Sequence, residues 1–136
     1  CIASVQSALD FGDYDGIIDN ATDDINVEFA VSALCSLGTD GVINIDAGEN
    51  SADGSGTLSP SRAMANGEFT LNYNLFKNPG YTNVWGAGVD SDGAGGGNPY
   101  TGTGGTQDVA GYAKLPAGQV VPDGAYTDKV TVTVTY

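Results

Sequence analysis

Apolar and polar residues alternate most cleanly at the end of the chain. There Val130, Val132, Val134 and Tyr136 fall on one face of an extended segment, and Thr131, Thr133 and Thr135 fall on the other. A side-chain period of two marks a half-buried strand, predicted here from Tyr126 to Tyr136. The same period runs through Ile25-Asn26-Val27-Glu28-Phe29-Ala30-Val31. Its continuation to Cys35 is compatible with a helix, but the β-branched and aromatic content favours a strand. Val42, Ile43 and Ile45 make a short strand closed by Asp46-Ala47-Gly48. From about Gly67 a further strand puts Phe69, Leu71, Tyr73 and Leu75 on an inward face, with Thr70, Asn72 and Asn74 outward.

Turn chemistry separates these runs. Asn78-Pro79-Gly80 predicts a hairpin whose second arm is Tyr81 to Trp85. Val109 to Leu115 reads as another strand, bounded by Pro116-Ala117-Gly118 and then Pro122-Asp123-Gly124. The Ser/Gly/Asp/Asn-rich stretch 49–60 predicts a loop, and 86–105, dominated by Gly, Asp, Asn and Thr, a long surface loop. At the start, Ile2 to Phe11 is irregular, with Val5, Leu9 and Phe11 as inward positions before the turn-rich Gly12-Asp13-Tyr14-Asp15-Gly16. Strands separated by turns every ten to fifteen residues predict an all-β chain, a β-sandwich, with residues 1–136 as one domain.

Charge narrows the partners. The net charge is −13, and the four cations (Arg62, Lys77, Lys114, Lys129) are dispersed, so no phosphate-binding patch can form. Nucleic acid and anionic lipid are excluded on that ground, and no apolar run reaches the roughly 18 residues of a membrane span, so no membrane insertion is expected. The acidic, Gly/Thr/Asn-rich, Lys-poor composition suggests a secreted chain. Cys1 and Cys35 then favour one disulfide over free thiols, a half metal site or a lipid on Cys1; there is no His and no C-x-x-C spacing for zinc. No signal segment precedes Cys1, as expected of a mature or trimmed form.

The chain offers little for catalysis. The commonest general base is missing, and no nucleophile elbow or Ser/Lys pair stands out, so an enzyme is not expected. Asp10, Asp13 and Asp15, or Asp90, Asp92 and Asn98, could contribute oxygens to calcium, but neither string has the twelve-residue pattern ending in Glu. We read them as turn residues, with no metal and no cofactor. Trp85 could stack on a sugar, but in a small sandwich it is expected in the core beside Phe11, Phe69, Leu71, Tyr73 and Leu75.

A set of short segments, in order, carries a family resemblance. They are the initial Cys1, Leu9-Asp10-Phe11-Gly12-Asp13-Tyr14-Asp15, and Cys35 at a strand end. Asp46-Ala47-Gly48, Ser61-Arg62-Ala63-Met64 and Leu71-Asn72-Tyr73-Asn74-Leu75-Phe76 follow. Val84-Trp85-Gly86 and Gly124-Ala125-Tyr126-Thr127-Asp128 lead to the Val/Thr strand ending at Tyr136. In this arrangement the chain resembles the spore coat protein U-like domain, the fold of archaic chaperone–usher pilins.

The resemblance implies an incomplete immunoglobulin-like sandwich, lacking its last strand and completed by a donor strand from another chain. It implies a periplasmic chaperone and an outer-membrane usher as assembly partners, and neighbouring pilin subunits, in a homopolymer, as fibre partners. The product would be a surface pilus serving adhesion and biofilm formation. The expected donor-strand groove is lined by Val130, Val132, Val134 and Tyr136 with Val5 and Leu9, and Tyr136 is where a basic chaperone residue would anchor. In such pilins the donor segment precedes the first cysteine; here it is removed, omitted, or absent because the subunit only accepts a strand. The span from Tyr14 to Cys35 is a little long for the family. The competing expectations are a self-contained surface or coat domain and a calcium-dependent carbohydrate-binding module using Trp85 and the loop acids.

Overall fold

The two longest alternating runs pair with each other and form the centre of the molecule. In the computed structural model, which describes residues 1–5, 24–53, 56–90, 95–119 and 121–136, strand β2 (Ile25–Leu34) lies antiparallel to β7 (Thr106–Leu115) over their whole length, from Ile25 opposite Leu115 to Leu34 opposite Thr106. Phe29, Val31 and Ala33 point inward from β2, and Ala113 and Leu115 from β7. Gly111 faces Phe29 across the pair, and a Cβ there would sit 2.2 Å from the Phe29 ring, so only glycine lets that ring lie flat in the core.

β1 (Ile2–Val5), β5 (Phe69–Phe76) and β4 (Arg62–Asn66) complete a five-stranded sheet in the order β1-β2-β7-β5-β4. A three-stranded sheet, β6-β3-β8, is built from β6 (Asn98–Thr101), β3 (Asp40–Ile45) and β8 (Val132–Thr135). All pairings are antiparallel. No helix occurs among the described residues, and the fold is the expected all-β, immunoglobulin-like sandwich. Between the sheets lie Phe29, Ile43, Ile45, Leu71, Leu75 and Trp85. Trp85 is fully buried, 5.9 Å from Phe29 between ring centroids, and donates its indole N–H to the Ile43 carbonyl at 2.9 Å. It is a core residue that joins the layers.

Several expectations are corrected. Ser61-Arg62-Ala63-Met64 opens a strand of its own, β4, which turns into β5 through Gly67-Glu68, with Gly67 at φ 62 as a tight turn demands. Phe69, expected in the core, is 44% exposed: it has the inward parity but pairs with Asn66 at the turn, beyond the reach of the opposite sheet. Tyr81 to Trp85 does fold back on the end of β5, but less regularly than a full hairpin arm: an isolated antiparallel bridge between Phe76 and Val84 and hydrogen bonds from the Lys77 N–H to Asn83 and from the Trp85 N–H to Leu75 hold it.

The 86–105 stretch is not simply a surface loop, since it contains β6, the buried Tyr100 and buried glycines 95–97. Glycine lets these backbones close-pack: Gly86 and Gly97 donate to Gly96 and Gly88 at 2.8 Å, and a Cβ on Gly97 would strike Val42 at 2.3 Å. The last strand is shorter than Tyr126–Tyr136. Thr127 first bridges Ala65 of the other sheet, and a continuous ladder with β3 begins only at Val132.

Candidate strand-acceptor edge

The direction of the main-chain groups on β8 follows from two hydrogen bonds just before it. Lys129 accepts from the Glu49 N–H at 3.1 Å and Thr131 from the Asp46 N–H at 3.0 Å, both on the β3 side. Main-chain groups alternate sides along an extended chain, so Thr133 and Thr135 also face β3, while Val130, Val132 and Val134 turn theirs away from it. Among the described residues β8 has β3 as its one ladder partner, so that outward row is an edge with no described strand on it. The side chains of Val130, Val132 and Val134 are half-buried against the core, and Thr131, Thr133 and Thr135 are exposed on the outer face.

The other rim is β1, which among the described residues pairs with β2 alone, from Ile2 opposite Leu34 to Val5 opposite Val31. β1 and β8 lie in contact although they end different sheets. Among the described residues, the two sheets therefore end side by side at β1 and β8, and no described strand closes one sheet on the other. Cys1 and Cys35 are bonded, which fixes the start of β1 to the end of β2. Cys1 and Ala3 pack against the core, whereas Ile2 is 68% exposed.

Of the residues expected to line this groove, Val130, Val132 and Val134 share one face, and Val5 lies on the neighbouring strand. Tyr136 is one residue beyond β8 and 75% exposed. Leu9, with Phe11 of the expected core, lies outside the described residues. So do Asp10, Asp13, Asp15 and Asp92 of the calcium strings. Asp90 accepts from the Gly95 N–H at 2.9 Å, a loop-holding role. With Trp85 buried, a sugar platform built on it is ruled out.

Sequence reasoning gave no role to Arg62, which is 2% exposed. Its guanidinium donates to the main-chain oxygens of Ile45 (3.0 Å), Asp46 (2.8 and 3.0 Å) and Trp85 (2.7 Å) and to Asn74 Oδ1 (2.8 Å). Burial lowers its pKa to about 10, against the opposing pull of Tyr73, Asp46 and Asp128. Beside it, the Tyr73 hydroxyl donates to Asp128 at 2.5 Å, and Asp128 also receives the Glu49 N–H and the Asn50 amide. Burial first, and then the Asp128 carboxylate, raise the Tyr73 pKa far above 10.0. Gly48, at φ +85, leaves room for Asp128, which a Cβ there would meet at 2.2 Å. Asp46-Ala47-Gly48, Arg62, Tyr73-Asn74, Trp85 and Asp128 come from five separate sequence segments and converge here. The signal was present: an arginine amid 17 acids, inside one of the recurring segments.

A model of the Spore Coat Protein U domain matches residues 1–133. Protein U of Myxococcus xanthus is 33% identical over 132 residues, covering 94% of this chain and 71% of that protein. Among solved structures, the fold matches the CsuC–CsuE chaperone–tip adhesion subunit pre-assembly complex from archaic chaperone–usher Csu pili of Acinetobacter baumannii. The TM-score is 0.60 at 21% identity, over 99% of this chain and 39% of the matched one.

Proposed function

Because the chain belongs to the Spore Coat Protein U domain family, we propose that it is a structural subunit of an extracellular pilus, assembled by the chaperone–usher route and completed by a strand from another chain. The observation that carries this reading is the pair of sheet edges, β1 and β8, in contact with each other and without a further ladder partner among the described residues, together with the half-buried Val132 and Val134. An extended segment laid along β8 would pair with the outward main-chain groups of Val132 and Val134. Its alternate side chains would cover the valine face and set the register. Val130, Tyr136, Val5 and Leu9 extend the lining in this reading. An uncovered edge of this kind promotes aggregation, so a subunit exporting it needs an escort.

The escort is a periplasmic chaperone that lends a strand; at the outer-membrane usher the segment of a neighbouring subunit, of the same kind in a homopolymer, takes its place. The likeness in fold to a subunit solved in complex with its chaperone supports the chaperone as a partner. The fibre is displayed on the cell surface and serves adhesion and biofilm formation, with a structural role and no catalysis.

The test compares the two faces of one strand. Val132→Asp puts a charge on the inward face, and Thr133→Asp puts one on the exposed face. Both variants should keep the β-sheet circular-dichroism spectrum. Electron microscopy should find fibres with Thr133→Asp and none with Val132→Asp. Normal fibres from Val132→Asp would sink the strand-acceptor reading.

A further inference from the structure

The outer face of the five-stranded sheet has a second feature, separate from the open edge. Cross-strand register sets two rows over β2, β7 and β5: Asn26–Lys114–Asn74 and Glu28–Tyr112–Phe76. Tyr81 leans onto them edge-on, with ring centroids 5.6 Å from Phe76 and 6.4 Å from Tyr112, and the Lys114 ammonium lies 5.5 Å from its own centroid. Beside this cluster is a cleft of about 350 Å³, within the usual size of a small-molecule site. Phe76 and Pro116 form its apolar wall, Asn72, Asn74 and Lys114 supply polar groups, and the buried Arg62 and Tyr73 also line it; Tyr81 and Tyr112 flank Phe76 outside the cleft itself.

Tyr81 is the sole non-glycine residue with positive φ among those described, at φ 54. An L-residue there costs about 1–2 kcal/mol relative to glycine. Glycine is available at the position before it, yet the aromatic ring occupies the strained site. The polar groups divide into committed and free. Asn74 is fixed by Arg62 and Pro60, and Lys114 is paired with Asp24 at 3.2 Å. The hydroxyls of Tyr81 and Tyr112 and the side-chain amide of Asn72 have no protein partner among the described residues.

We propose that this cleft together with the aromatic cluster flanking it binds a neutral saccharide, with one pyranose ring against Phe76 and its hydroxyls on Asn72 in the cleft, and the chain continuing over the adjoining Tyr81 and Tyr112. A pyranose has an apolar C–H face and a hydroxylated rim, which matches an aromatic wall bordered by unpaired polar groups. An acidic polymer is disfavoured by the net charge of −13 and by the neutralisation of Lys114 by Asp24. A purely apolar ligand would strand the amide and phenols unpaired.

The test is a ¹H–¹⁵N NMR titration of the folded chain with laminari-, malto-, cello- and chitotetraose at millimolar concentration, and with polygalacturonate as the acidic counterpart. A saturable shift of the amides of Asn72, Phe76, Tyr81 and Lys114 with at least one neutral tetraose is expected. Tyr81→Gly relieves the backbone and removes the ring, so its melting temperature should hold while affinity falls at least tenfold. Asn72→Ala, at an exposed position, should weaken binding severalfold. The proposal is overturned if none of the neutral probes gives saturable shifts there, if only polygalacturonate binds, or if Tyr81→Gly binds as well as the parent.

Discussion

The two ends of the last chain segment meet opposite conditions. Where it begins, near Thr127 and Asp128, its main chain is paired with Ala65 and its carboxylate holds Tyr73, Asn50 and Glu49. Around Arg62 the buried acceptors are occupied, and among the described residues no buried side-chain polar atom lacks a partner. Where the segment ends, in β8, the ladder is one-sided among the described residues and the valine face is half-buried. One region locks the two sheets together and the other leaves them apart at the edge. An edge can stay open only if stability is supplied elsewhere, and the Arg62 cluster is placed to do that. Arginine suits the task because its planar fork aims several N–H donors at once: Nε, Nη1 and Nη2 all donate here, with Nη2 shared among the three main-chain oxygens of Ile45, Asp46 and Trp85.

The largest expected effect breaks the locked region. Arg62→Met would keep most of the volume while orphaning the carbonyls of Ile45, Asp46 and Trp85. Each buried orphan costs roughly 1–3 kcal/mol, so a loss of about 3 kcal/mol or more is expected in urea denaturation. Arg62→Lys should not rescue it, since a single ammonium cannot span the acceptors. A change below about 1 kcal/mol for Arg62→Met would remove the contrast between the two regions.

How legible each region was follows from the same chemistry. β2, β5 and β7 were readable because their inward positions are apolar at period two, as in Phe29-Ala30-Val31 and Leu71-Asn72-Tyr73-Asn74-Leu75. β4 was hidden because one of its inward residues is Arg62, which reads as surface in any hydrophobic pattern, and the strand alternates it with alanine and Met64. The layer formed by Gly86–Gly97 was hidden for the converse reason. Its contacts are between backbones, and glycine leaves no apolar signature. Phe69 had the correct parity but sits at the turn, and parity carries no information on where a sheet outruns its partner. At the open edge the valine comb was legible in full. Its length was not, because the switch of partner from Ala65 to β3 depends on tertiary placement.

A second effect, of comparable size, concerns the open side. β1 is four residues long and has β2 as its ladder partner, so the Cys1–Cys35 bond is its main additional anchor. The bond spans 34 residues, and a loop of that size is worth roughly 3–4 kcal/mol through the unfolded chain, in a model-dependent way. The paired Cys1→Ser/Cys35→Ser variant should lose about that much in urea denaturation and should expose the β1 amides to hydrogen exchange ahead of those in β7. If β1 and β7 exchange together, β1 is held by its ladder alone, and the open rim is as firmly built as the centre.

The smallest effect returns to the locked region and is read through pH. The Tyr73 phenol donates to Asp128, and its pKa is raised far above 10.0, by burial first and by that carboxylate second. A raised pKa on an acid means that, above about pH 10, the unfolded chain releases the phenol proton while the folded chain retains it. Stability from this group is therefore complete below pH 10 and declines as pH rises through and beyond that value. The lowered pKa of Arg62 acts in the opposite sense on the alkaline side, because there the unfolded chain is the one that binds more protons. Comparing wild type with Tyr73→Phe isolates the phenol. At neutral pH the substitution should cost about 1.5–3 kcal/mol, the range for a hydrogen bond to a charged group. Melting temperatures taken from pH 8 to 11 should converge as wild type loses its advantage. Parallel curves across that range would mean that the phenol titrates alike in the folded and unfolded chains, and the Tyr73–Asp128 contact would then not belong to the lock.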